Sequence, residues 1–248
     1  MRWPFSRRQR QIDPAEVGEI VQRNVALAQR LDDDDRDRLG VLTSELIDSK
    51  RWEAVAGVKL SNEILVTVAA NAAVPILRLD SWPYRQVNSV IIWPTTTVTR
   101  GLRGGPSHGV VSDQPTAIIG QASPNEGPVS VSWDAAVADS RNPRAGRNVI
   151  IHEFAHKIDM SDGYTDGTPP LRGAALAEWD KVLADEYERA CARPSDSVLR
   201  PYAWTNPAEF FAVATEAFFC VPSDLAQGKP VLYEALSSFY QQDPQART

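Results

Sequence analysis

The chain has 248 residues, 43% hydrophobic and 23% charged, a balance that excludes wholesale disorder and allows a sizeable core. Lys and Arg number 26 against 32 Asp and Glu, and the net charge of -6 excludes a protein-wide basic field for gripping nucleic acid. With only 2 Cys and 3 His, neither a disulfide scaffold nor a four-cysteine zinc knot can be built.

Residues 1–11, from Met1-Arg2-Trp3 to Arg10, carry positive charge without a following apolar run, which predicts a flexible basic tail rather than a signal peptide. Residues 12–248 are expected to form a single domain. The longest apolar stretches, such as Ile64 to Val74, are too short for a bilayer and contain Thr67 and Asn71, so no membrane anchor is expected. Cys191 and Cys220 can be buried thiols or a pair, and a reduced, cytoplasmic protein is the default expectation.

The first fifty residues read as helical. Asp13-Pro14 is a cap followed by a first-turn proline, with Val17, Ile20, Val21, Leu27 and Leu31 at roughly helical spacing. The run Asp32 to Asp35 predicts a solvated start to the next helix, whose apolar face is Leu39, Leu42, Leu46 and Ile47. Ser61-Asn62-Glu63 opens a helix through Ala73. Strands then follow: Val87 to Trp93, Thr116 to Gly120, and Val129 to Trp133 with alternating apolar and serine positions. Between them the glycine-rich stretch Arg100 to Gly109 lacks the Lys-Ser/Thr of a phosphate cradle and reads as a surface loop, with His108 exposed on it. Helices are predicted over 148–160, 171–191, 206–220 and 231–241. Helices, a small sheet and helices again make an α+β domain.

The segment Asn148 to Asp159 contains His152-Glu153-Phe154-Ala155-His156. On a helix the two histidines are four residues apart, so both imidazoles leave one face and can grip one ion. Glu153 lies about 100° round the axis, where it reaches a water on the ion rather than the ion itself. Two imidazoles and one further ligand leave zinc a position for that water, whose pKa falls towards 7, and Glu153 can take its proton as general base. From this chain's own composition the pattern arises by chance in about 1 of 1,000 shuffles, so accident is a poor account of it.

Three acids compete for the third ligand position. Asp162 is six residues after His156, but Asp159 stands where the glycine that turns the chain in metzincin-type sites belongs. Glu209 and Glu216 are seven apart on one face of the apolar helix 206–220, where a buried carboxylate needs a positive partner. Glu209 could instead close a capping box with Asn206, and Glu216 could form a buried salt bridge or support a ligand histidine.

Ile150 to Asp159, Asn206-Pro207-Ala208-Glu209-Phe210-Phe211-Ala212-Val213, Gly127 to Trp133 and Phe239 to Pro244 together resemble the Mlc titration factor A family. That family comprises zinc metallopeptidases with a site similar to anthrax lethal factor, and the likeness runs from about Leu39 to the C-terminus. The resemblance implies a zincin-like metallopeptidase fold, a small mixed sheet packed on the His-Glu-x-x-His helix with flanking helices. It implies one Zn2+ on His152, His156 and Glu209, with Glu153 as base. It places the family's transition-state tyrosine on Tyr202, whose phenol can donate to an oxyanion, and leaves Asp159 and Glu216 as supporting candidates. Implied too are aminopeptidase-like hydrolysis of small peptides and, as an alternative role, a transcriptional-repressor partner. The strand Val129 to Trp133 is expected to be the sheet edge along which a peptide substrate lies.

Overall fold

In the computed structural model the described residues are 12–79, 83–95, 97–99, 103–104, 111–112, 116–118, 120–122, 127–192 and 198–247; the side chains of 97–122, 190 and 191 are left out. The expected basic tail 1–11, His108 with most of its glycine-rich loop, and the side chain of Cys191 lie outside that description. Cys220 is a buried free thiol.

Helix α1 (Pro14–Asn24) begins as its sequence directs: the Asp13 carboxylate accepts from the Ala15 N–H and Pro14 occupies the first turn. Helix α2 (Asp33–Ser49) is capped by Asp32. Its acidic start is not wholly solvated, however. Asp35 is 1% exposed and pairs with Arg78 at 2.6 Å and Arg247 at 2.5 Å, so this carboxylate ties the C-terminus to the core. Strand β1 (Arg51–Ala54) follows, then helix α3 (Asn62–Ala73), started by the Ser61 hydroxyl and buried from Ile64 onward.

Next come β2 (Ser89–Trp93), β3 (Thr97–Thr99), β4 (Arg103–Gly104), β5 (Val111–Ser112), β6 (Thr116–Ile118), β7 (Gly120–Ala122) and β8 (Val129–Ser132). The main sheet has the order β1-β2-β8-β7. The first three strands are parallel, with Trp52 opposite Val90 and Ile92 opposite Val131, and β7 runs antiparallel to β8. Strands β3 and β6, and β4 and β5, form two separate antiparallel pairs. The stretch 116–120 is therefore not one strand but parts of two. Strand β8 is not an edge, because β2 and β7 take up both sides of it; among the described residues β7 is the outer strand on that side. It is also one residue shorter than its alternation implies, since Trp133 starts helix α4 (Trp133–Arg141).

Helices α5 (Val149–Asp159), α6 (Ala174–Ala192), α7 (Pro207–Cys220), α8 (Pro222–Gly228) and α9 (Pro230–Tyr240) complete the chain. Helix α5 lies between the β7–β8 side of the sheet and α7, and every one of its residues is buried. It has no exposed face: Phe154 meets Tyr84 edge-on at 4.8 Å, and Ile150, Ile151 and Ile158 are fully enclosed. Helix α7 is buried from Ala208 to Cys220, with Trp179 of α6 against Phe211 and Tyr240 of α9 against Phe218. The result is a zincin-like α+β fold in which a small sheet and flanking helices hold the His-Glu-x-x-His helix in the core. Among the described residues no helix is long and apolar enough to cross a membrane.

Candidate metal centre

Helix α5 starts at Asn148, whose side-chain oxygen accepts from the N–H groups of Ile150 and Ile151. One turn later His152 and His156 leave the same face, their rings 4.8 Å apart and nearly perpendicular. Helix α7 approaches with its first turn. Asn206 caps it by accepting from the Glu209 N–H at 3.0 Å, but the Glu209 carboxylate does not return to Asn206 to complete a capping box. It points at the histidines instead. Glu209 Oε2 lies 3.1 Å from His152 Nε2 and 3.4 Å from His156 Nε2.

These three groups offer ligand atoms that all lie within 4.8 Å of one another, and each is buried. Glu209 Oε2 has no hydrogen-bond partner in spite of its burial. Lone pairs and a carboxylate oxygen that converge in a dry site repel one another unless a proton or cation sits between them. The surroundings favour positive charge strongly. Burial pulls the His152 pKa down, but the carboxylates of Glu216, Glu209 and Glu153 outweigh it and raise it to about 10. Burial likewise pushes Glu209 up, yet the two imidazoles hold its carboxyl well below the usual carboxylate range. Glu216 Oε2 sits 3.4 Å from His152 Nδ1 without a hydrogen bond between them, and its negative charge favours a proton on that nitrogen while Nε2 faces the cluster. Two imidazoles and one carboxylate with this orientation fit a divalent metal ion.

Glu153 is 3% exposed, and its Oε2 has no hydrogen-bond partner. Burial raises its pKa to about 7 against the pull of His152 and His156, so it can gain and lose a proton near neutrality. Tyr202 lies on the short helix Pro201–Trp204, is 43% exposed, and donates from its hydroxyl to Glu209 Oε1 at 3.0 Å. Burial and the Glu209 carboxylate push its pKa up, so the phenol keeps its proton.

Asp162, the weaker ligand candidate, is exposed and accepts from the Tyr164 N–H within its own turn, away from the cluster. Asp159 is fully buried and holds the next loop: its Oδ1 accepts from the N–H groups of Asp166, Gly167 and Thr168 at 3.4, 3.0 and 3.1 Å. Gly167 is what that loop delivers. It has φ +78°, and a Cβ there would stand 2.2 Å from the Pro207 carbonyl oxygen, so the loop abuts the first residue of α7 with no space to spare. Neither Gly167 nor Arg200, which meets Glu216, stands out in the sequence. The signal for Gly167 is only its place in the run Asp166-Gly167-Thr168-Pro169.

A family model described as glucose-regulated metallo-peptidase M90 matches residues 2–241. The chain belongs to that family. It is similar to Mlc titration factor A of Serratia proteamaculans, 31% identical over 100% of this chain and 95% of that protein. The same-named protein of Yersinia enterocolitica is 31% identical over 90% of this chain and 85% of its own length. An uncharacterised Synechocystis protein is 30% identical over 84% of this chain and 77% of its own. Membership of the M90 family makes the chain a metallopeptidase by descent and implies a metal. The cluster on α5 and α7 is where the described residues can hold one.

Proposed function

We infer that this M90 protein is a zinc peptidase, and the observation that carries the reading is the convergence of His152, His156 and Glu209 beside the buried carboxylate of Glu153. Two imidazoles, one carboxylate and an open fourth position are the ligand set of a catalytic zinc site. When bound, the ion supplies a Lewis acid that polarises a peptide carbonyl and acidifies water. Glu153 accepts a proton at Oε2 and returns it to the departing amine. Tyr202 shifts its hydroxyl from Glu209 Oε1 towards the developing oxyanion, which its exposure permits. Helix α5 and the apolar residues behind it exclude bulk water from the ligands and strengthen each of these contacts.

Aminopeptidase-like action on small peptides is what the family likeness supports, while a cytoplasmic location rests on the sparse cysteines and a single domain on the helix, sheet and helix order. A second reading, a regulator that sequesters a transcriptional repressor, is favoured by the name of the Serratia and Yersinia relatives. Glu153→Gln separates the two. Hydrolysis of peptide amides is expected to fall by about 10³-fold with the metal retained. Undiminished hydrolysis would contradict Glu153 as the base; lost hydrolysis with intact capture of a repressor would show two separable roles. For the wild type, a base whose pKa is raised to about 7 is lost by protonation as pH falls. A bound cation lowers that value, so the acid limb of kcat/KM should have a midpoint at or below about 7.

A further inference from the structure

Glu216 stands two turns beyond Glu209 on α7 and is 1% exposed. From Ala208 to Cys220 every residue is buried, and only Glu209, Thr215 and Glu216 among them are polar side chains. A carboxylate so enclosed requires several positive or donor partners. Its Oε1 accepts from the Asn148 N–H at 3.0 Å. Its Oε2 accepts from Arg200 Nη2 in a close charge-assisted contact, and the same oxygen lies 3.4 Å from His152 Nδ1.

Each partner belongs to a different part of the site. Asn148 is the cap of the metal helix. Arg200 precedes the short helix that carries Tyr202, and its guanidinium carbon is 6.0 Å from the Tyr202 ring centre. Tyr202 donates to Glu209, and Glu209 returns to His152. The contacts thus close a circuit through His152, Glu216, Arg200, Tyr202 and Glu209. An ion pair that merely held the fold would not need its acceptor oxygen behind a ligand imidazole, nor its cation beside the phenol.

One side of the circuit is anchored. Asn148 Nδ2 donates to Asn71 Oδ1 at 2.8 Å, Asn71 Nδ2 donates to Ser140 Oγ at 2.7 Å, and Ser140 Oγ donates to the Asn24 carbonyl. The first turn of α5 is therefore tied to α1, α3 and α4 by contacts that do not pass through Glu216. The 200–204 segment is held at its far end, where the Tyr187 hydroxyl donates to the Trp204 carbonyl at 3.2 Å and Trp204 rests on Phe210, whereas at its near end the 35% exposed Arg200 side chain reaches in to Glu216. The geometry points to Glu216 as a positioning residue that, with Arg200, ties the orientation of His152 and the placement of the Tyr202 hydroxyl to one buried carboxylate. This rests on the metallopeptidase reading of the same site.

The test compares wild type, Glu216→Gln, Arg200→Ala and Arg200→Lys as full chains, metal-free and loaded with Zn2+ or Co2+. Glu216→Gln should weaken Zn2+ binding by about 10–100-fold and shift the visible absorption of the Co2+ form. At saturating Zn2+, kcat on a peptide amide should fall about 10-fold with KM unchanged, the signature of misplaced catalytic groups. Arg200→Ala should lower kcat likewise, and Arg200→Lys should restore most of it. If Glu216→Gln does not fold, the partly exposed Arg200→Ala carries the same readouts. Wild-type metal affinity, Co2+ spectrum and kcat in the variants, with only a lower unfolding midpoint, would overturn the assignment and leave a structural ion pair. Metal affinity and the Co2+ spectrum need no hydrolysis. A wild type that binds the ion but cleaves no peptide therefore contradicts the catalytic reading alone, whereas one that binds neither ion contradicts both.

Discussion

Helices α5 and α7 pack against each other, are buried along almost their whole lengths and both offer ligand atoms to the candidate metal centre, yet they present them by different physics. On α5 the two histidines are neighbours by helical geometry alone: once Asn148 has started the helix, a spacing of four sets one ring above the other. On α7 the aim of Glu209 depends on where the helix begins. That start is capped locally by Asn206 and is also packed from outside by Gly167 against the Pro207 carbonyl, and Gly167 is in turn held by Asp159 at the far end of α5. Helix α5 thus offers two ligand atoms of its own and also, through Asp159, holds the loop that packs on the start of the helix offering the third. The difference teaches that a bidentate grip can be local, but a complete site needs a tertiary contact that no spacing records.

Breaking that contact should hurt more than any change at the open side of the site. Gly167→Ala places a Cβ against the Pro207 carbonyl at positive φ, and about 2–4 kcal/mol of stability is expected to be lost. In the folded fraction the third ligand is displaced, so metal affinity should fall while far-UV circular dichroism still reports helical structure. A substitution tolerated with full affinity would show that α7 is registered by its own packing. Tyr202→Phe probes the other extreme, a group on the partly exposed helix Pro201–Trp204. It removes one hydrogen bond to Glu209 and a donor for the oxyanion, so kcat should drop about 10-fold with metal content unchanged. An unchanged kcat would restrict Tyr202 to packing beside His152.

The same division governs what could be read from the residues. The capped helices were legible because Asp13, Ser61, Asn148 and Asn206 each perform the local cap their side chains imply. The His152, Glu153 and His156 pattern was legible for the same reason. Sequence left Asp162, Glu209 and Glu216 in competition, and family likeness singled out Glu209; the fold brings Glu209 to the histidines and Glu216 behind one of them. What escaped was non-local. Strand β8 reads the same whether it is an edge or an interior strand, since pairing with β2 and β7 is decided elsewhere in the chain. Trp133 continues the alternation of β8 but is the first residue of α4. Asp35 belongs by sequence to an acidic helix start, and only the approach of Arg78 and Arg247 makes it an interior ion pair. Strand β1 is four residues, Arg51 to Ala54, too short and too polar to declare itself.

The most direct measurement of the central claim is metal content. Purified wild type, His156→Ala and Glu209→Gln would be equilibrated with limiting Zn2+, passed through a desalting column and assayed for bound ion by mass spectrometry. One zinc per chain in the wild type, and well under one in each variant, is the predicted result, because ligands from α5 and α7 are both required. A full complement of zinc in Glu209→Gln would contradict the account, showing that α7 does not supply the third ligand.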